Sequence, residues 1–299
     1  MKSTLHLNED AGVKIFSHTL LIILSACCLF PFLIILGSSF ESQAQIMDSG
    51  YTVIPKAFTL DAYKAVFSNP YRLINGYKVT IISSVGMTLL GLFLQSTYGY
   101  VISRRDYPYS KFLSFFAFFT MLFNGGLVPS YILISNWLGM KNSIWALIIP
   151  GAAGAWNIMM LRTFFKAIPF ELIESAKLDG ASEMKIFWRI ILPLSKPALA
   201  CISLFILFGA WNAWYPSLLY IEDENKVQLQ YLLMSIMKNI EFLNSEDAVQ
   251  LGANTAMTAP PTLNARMAMC VLAMGPIVIV FPFFQKYFVK GLTVGSVKG

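Results

Sequence analysis

Six stretches of this chain contain no Asp, Glu, Lys, Arg or His and are long enough to matter: 19–40, 79–103, 112–135, 142–161, 197–221 and 267–284. About 20 apolar residues wound as a helix cross roughly 30 Å of hydrocarbon, so the pattern predicts six transmembrane helices. The core of a signal peptide is the alternative for the first, but no convincing small-residue cleavage site follows it, and it reads as a first helix kinked at Pro31. Between the stretches lie polar segments. Residues 41–77 hold Pro55, Pro70 and a short amphipathic helix from 61 to 67, 103–111 is short and basic, 136–141 is a turn, and 222–264 is a long polar loop.

Several spans are interrupted. Residues 79–103 carry Gly86, Gly91 and Gly99 among Ser and Thr, small residues that let helices approach closely in lipid. The third span is broken at Asn124-Gly125-Gly126 and Pro129, and a break at membrane depth needs protein cover or a water-filled cavity for its freed backbone groups.

The longest charged insert lies between the fourth and fifth spans. Pro169 suits the first position of a helix, Glu171 and Glu174 its early turns, and Lys177 its last. Gly180 falls where a helix stops and the backbone needs positive φ. A second helix fits 183–192, with Met184, Phe187, Trp188 and Ile191 on one apolar face, closed by Pro193 and Pro197. The segment reads as helix, sharp turn, helix.

Composition agrees with a membrane protein. The chain has 299 residues, 56% hydrophobic and 13% charged, with mean hydropathy +0.61. A soluble domain carries about 25% charge. The net charge of +6 is unevenly placed: 14 of the 22 Lys and Arg lie in the two tails and the 103–111 and 162–196 loops, and 8 on the opposite side. The positive-inside rule makes the richer side cytoplasmic, with both termini there. The four cysteines lie in apolar runs with no metal-ligand spacing, so no metal and no catalytic residue is expected. No GxxxxGK[ST] phosphate loop is present.

The insert resembles the EAA loop of binding-protein-dependent ABC importers. The matching positions are Glu174, Ser175, Ala176, Gly180, Ile190, Leu192 and Pro193, with Ser175 in place of the usual Ala; Asp179, Ala181, Phe187 and Pro197 fit the sugar-transporting members. With the six-span layout and the ending GLTVGSVKG, the chain as a whole is similar to carbohydrate permeases related to the second maltose-system subunit, and within them to the LplC-like branch, which serves larger oligosaccharides. The resemblance implies a type I importer fold: one all-α permease domain over 1–299 with a cytoplasmic coupling loop at 164–196. It implies a second, different permease, two ATPase subunits that hold ATP and Mg, and an extracytoplasmic solute-binding protein, with no cofactor on this chain. It also implies that Glu174 pairs with a basic residue of the ATPase cleft, that residues 175 and 176 let the helix seat, and that the C-terminal tail reaches towards the ATPase pair.

For the sugar path, aromatic rings and amides at membrane depth are the candidates: Trp211, Asn212, Trp214 and Tyr215 in the fifth span, and Asn124, Asn157 and Gln95 elsewhere. Packing and helix-to-helix hydrogen bonds are the competing roles. An importer of amino acids or another small solute is the alternative function. An ion-coupled transporter or a membrane-embedded enzyme fits less well, because no span carries an ionisable group.

Overall fold

The structure is a computed structural model that describes residues 3–67, 70–243 and 262–296. The described residues form helices and connecting turns. They fall into two compact units, one of residues 1–70 and 236–275, the other of 71–235 and 276–299.

The first unit contains α1 (Ser3–Ser38), α2 (Gln43–Ser49) and α3 (Asp61–Val66). α1 stays helical through Pro31, and its 12–38 portion is apolar and almost wholly uncovered by the rest of the chain. Its end is fixed by close backbone contact: a Cβ on Gly37 would collide with the Val53 carbonyl oxygen. The Thr52 N–H donates to Ser38 Oγ (3.1 Å), and Ser38 Oγ donates to the Thr52 carbonyl (3.2 Å). Buried Glu41 accepts from Thr52 Oγ1, and its carbonyl accepts from Asn264 Nδ2 at 2.9 Å. Ser42 and Gln45 form a capping box that starts α2.

In the second unit, α4 (Pro70–Ser103) begins nine residues before the expected start of the second span. The third span divides into α5 (Ser110–Leu122) and α6 (Leu127–Ile132), the latter continuing as a π turn to Trp137, and the two pieces bend by 113° at the Asn124-Gly125-Gly126 break. Gly126 takes φ 86° there.

The fourth span is not the continuous helix expected over 142–161. It consists of α7 (Trp145–Ile148), a non-helical stretch, and α8 (Ala155–Lys166). Pro150, Gly151 and Gly154 supply the interruption, through a missing N–H and backbone freedom. α8 also runs into what had been read as the loop.

The hairpin described below consists of α9 (Phe170–Leu178), α10 (Glu183–Ile186), a π turn (Phe187–Ile191) and α11 (Leu192–Leu194), and α12 (Lys196–Trp211) follows it. The fifth span, expected over 197–221, stops at Trp211 and resumes as α13 (Tyr215–Tyr220).

The segment expected to be a polar loop over 222–264 contains α14 (Leu229–Leu243); its residues 244–261 lie outside the described residues. The start of α14 is sewn to α4. The Leu229 N–H donates to Thr80 Oγ1 at 2.7 Å, and a Cβ on Gly76 would meet the Leu229 Cα at 3.5 Å. Buried Gln228 donates to Ser83 Oγ (3.1 Å) and accepts from Ser217 Oγ (3.2 Å). Polar side chains inside an apolar bundle thus satisfy one another, as burial requires. The last helix, α15 (Thr262–Ser296), includes the sixth span; the final residues of the GLTVGSVKG tail, 297–299, lie outside the described residues.

Among the described residues, three helices are long and apolar enough to cross a membrane, or up to five if each bent pair is counted as one span.

Candidate functional site

The hairpin at 170–194 forms as its residues dictate. Pro169 is the N-cap of α9 and not its first helical residue. The helix ends in a Schellman motif: the Gly180 N–H donates to the Lys177 carbonyl at 3.0 Å and the Ala181 N–H to the Ala176 carbonyl at 2.9 Å. Gly180 has φ 74°, the left-handed value the motif needs. Ser182 then caps α10 by accepting from the Lys185 N–H.

Pro193 does not close the second helix, which continues to Leu194 before bending by 83° into α12. Pro193 has no N–H to give to the preceding turn, and the backbone widens into a π turn at 187–191, where the Leu192 N–H reaches the Phe187 carbonyl. The face expected to unite Met184, Phe187, Trp188 and Ile191 is split. Phe187 and Ile191 are buried with Ile173, Ile186, Leu161, Phe165 and Ile202, whereas Met184 and Trp188 are exposed.

The hairpin therefore has two sides. One packs into the core, and Ala176, Ala181, Ile190 and Leu192 add to it from partly buried positions. The other shows Glu174, Ser175, Asp179, Gly180 and Pro193 to solvent beside Met184, Trp188 and Leu178, which is 89% exposed.

Four charges bind the residues flanking the turn of the hairpin to the chain just beyond α4. Arg104 is 6% exposed and grips Asp106 through Nε–Oδ1 (2.8 Å) and Nη2–Oδ2 (2.5 Å). It reaches Glu183 at 3.0 and 3.2 Å and the Tyr100 hydroxyl at 2.6 Å. Lys177 contacts the same two acids, Asp106 at 2.7 Å and Glu183 at 3.0 Å. The guanidinium also lies 5.5 Å from the Tyr100 ring centre and 5.9 Å from that of Phe170.

Arg104 beside Asp106 holds that carboxyl well below the usual carboxylate range, against the opposing effect of burial, with Lys177 assisting. For Glu183, burial pushes upward, but hydrogen bonds from Lys177 and Tyr100 outweigh it and the net shift is down. Lys177 is raised by the same two acids. All four groups are ionised at neutral pH, and the cluster is neutral as a whole.

Sequence reasoning missed this cluster. It assigned Lys177 to the helix dipole and Arg104 to topology, and gave Asp106 and Glu183 no joint role. Their signal was weak: scarce charges at helix ends, 71 or more positions apart along the chain between loop and hairpin.

The path candidates fall in three places. Asn124 sits in the α5–α6 break, its Oδ1 accepting from the Gly126 N–H at 2.9 Å. Asn157 lies in the first turn of α8, partly buried, close to Gly154 and near Gln95. Trp211, Asn212 and Trp214 form the α12–α13 joint. Trp211 is 6% exposed, whereas Asn212 and Trp214 are open, with Gln230 Nε2 at 3.5 Å from Asn212 Oδ1. Gln95, fully buried, donates from Nε2 to the Ala152 carbonyl at 2.8 Å and so satisfies backbone freed by the broken fourth span.

Long uncovered apolar helices and sharply bent helix pairs mark a multi-pass membrane protein. The chain belongs to the binding-protein-dependent transport system inner membrane component family, whose model matches residues 112–294. It is 39% identical to the protein LplC of Bacillus subtilis (strain 168), over 99% of this chain and 98% of that one. It is 38% identical to the polygalacturonan/rhamnogalacturonan transport system permease YtcP of the same organism, over 93% and 96%. Among solved structures, a bacterial ABC transporter involved in the import of the acidic polysaccharide alginate contains a chain matching with TM-score 0.75 at 29% identity, over 94% of this chain and 98% of that one. The chain is thus an ABC importer permease of the inner membrane, a transport subunit whose ATP hydrolysis resides on a separate polypeptide.

Proposed function

We propose that this chain pairs with a second, different permease to form the path by which an oligosaccharide, delivered by an extracytoplasmic binding protein, enters the cytoplasm, driven by two ATPase subunits that carry ATP and Mg. The observation that carries the reading is the hairpin. Glu174, Ser175, Asp179 and Gly180 lie exposed around the uncovered Leu178 on a turn fixed by a Schellman motif, while the opposite face is anchored in the core. A rigid, apolar-tipped projection of this kind suits a cleft in an ATPase. The sugar class rests on the relatives named above and on the aromatic and amide groups at the α12–α13 joint. The test is to purify the chain with its co-expressed partners and assay ATP hydrolysis against a panel of oligosaccharides with the binding protein present. One or more sugars should raise turnover. Solute uptake by the purified chain alone, without ATP, would overturn the reading.

With each broken helix counted as one crossing, the hydrophobic segments amount to six spans: α1, α4, α5–α6, α7–α8, α12–α13 and α15. The charge bias then puts the hairpin and both termini in the cytoplasm. Single cysteines at Lys185 and Glu224, in a background without native cysteine, should react with an impermeant reagent from opposite faces of the membrane. Reaction of both from one face would refute this topology.

A further inference from the structure

We infer that α4 is the member through which the hairpin acts on the broken fourth span, with Arg104 and Gln95 as positioning residues at its two points of attachment. The inference rests on the coupling role proposed for the hairpin and adds a route within this chain.

At one end, the attachment holds both arms of the hairpin. Lys177 belongs to the last turn of α9 and Glu183 to the first turn of α10, and both bind the Arg104–Asp106 pair directly after α4. The turn at 179–182 is bracketed by these contacts, so a displacement of the tip carries the end of α4 with it. Arg104 is buried, doubly bonded to Asp106 and stacked near two aromatic rings, which leaves it little freedom to yield.

Nine residues back along α4, about 14 Å by helix rise, lies the second attachment. Gln95 holds the Ala152 carbonyl, the acceptor left open where the fourth span loses its helix. Glycines flank it on the same face. A Cβ on Gly91 would lie 3.0 Å from that carbonyl oxygen, and a Cβ on Gly99 would lie 3.1 Å from the Leu161 Cβ and 3.3 Å from the Ile158 carbonyl. The row 91, 95, 99 thus presses α4 against the break and against α8 without intervening side chains. Gln95 Oε1 is buried and has no hydrogen-bond partner. It is an acceptor held ready for an amide N–H that a second arrangement of residues 150–154 would supply, and such a two-state element is what a coupling route needs.

The test uses the assembled complex in vesicles, with Lys177→Gln, Lys177→Arg, Gln95→Leu and the double variant Lys177→Gln/Gln95→Leu. Bound ATPase, sugar-stimulated ATP turnover and sugar imported per ATP are measured for each. Lys177→Gln and Gln95→Leu should keep the ATPase subunits and stimulated turnover, yet import about fivefold less sugar per ATP than wild type; Lys177→Arg should restore the yield. Because both residues act along one route, the double variant should lose no more than the worse single variant. Unchanged yield in either single variant, multiplying losses in the double variant, or loss of ATPase subunits from Lys177→Gln would each overturn the route. Should the ATPase stay fully bound and stimulated in Glu174→Lys, it is the coupling role of the hairpin that fails, which this comparison separates from failure of the route.

Discussion

Complexes carrying Glu174→Lys or Gly180→Val should lose sugar-stimulated ATP hydrolysis while the hydrophobic spans still insert. Glu174 is exposed on α9 beside the uncovered tip, so reversing its charge disturbs nothing inside this chain. If the cleft that receives it is basic, the substitution replaces an attraction with a repulsion at the point of docking. Breaking one side of a buried ion pair costs about 3–5 kcal/mol. Driving a gate from 1:99 to 99:1 takes about 5.5 kcal/mol of differential binding. The loss is therefore comparable to the whole requirement. Gly180→Val acts differently. At φ 74° a β-branched residue is strained even though open space surrounds the Cβ position, and the Schellman hydrogen bonds that set the angle between α9 and α10 would distort. The measurement is the ratio of ATPase to permease after purification, together with turnover with and without sugar. Wild-type values of both in both variants would remove the hairpin from the coupling machinery.

Arg104→Met should loosen the hairpin itself. Two acids would then share Lys177 as their one remaining cation within the cluster, and the Tyr100 hydroxyl would lose a donor. Full burial would make the loss about 3–5 kcal/mol, but Asp106 and Glu183 are partly exposed, and screening reduces it to about 2–3 kcal/mol. Amide exchange across 170–186 should accelerate by roughly 30- to 150-fold if that local opening governs it. Exchange within threefold of wild type would show that apolar packing alone holds the hairpin in place.

The sequence made the hydrophobic spans and the turn at Gly180 readable, because both are local. A run without charge is visible in the run itself, and a glycine between a helix with Lys near its end and a helix capped by Ser182 needs no distant partner. The interruption at 149–154 was less legible. Its residues are as apolar as a helix, and only Pro150 and two nearby glycines mark it. Met184, Phe187, Trp188 and Ile191 share one apolar face only in a regular helix, and the π turn at Phe187–Ile191 breaks that period. The charge cluster was the least accessible. Arg104 and Glu183 meet only because α4 and the hairpin converge, a matter of tertiary packing that periodicity does not encode. The helix hidden in the 222–264 segment escaped because its start, Leu229 with Gln228 just before it, is buried by contacts with Thr80 and Ser83 on α4.

The length of α4 has a mechanical meaning. Thirty-four residues make a rod of about 51 Å, against roughly 30 Å of hydrocarbon. Its ends therefore stand clear of the lipid tails, and the helix is free to tilt as a stiff strut. Pivoting by about 5° at one end sweeps the far end through about 4 Å, wider than a water molecule. On the route inferred above, a displacement at the hairpin would then reach the broken fourth span as a tilt of α4, without α4 itself unwinding or bending.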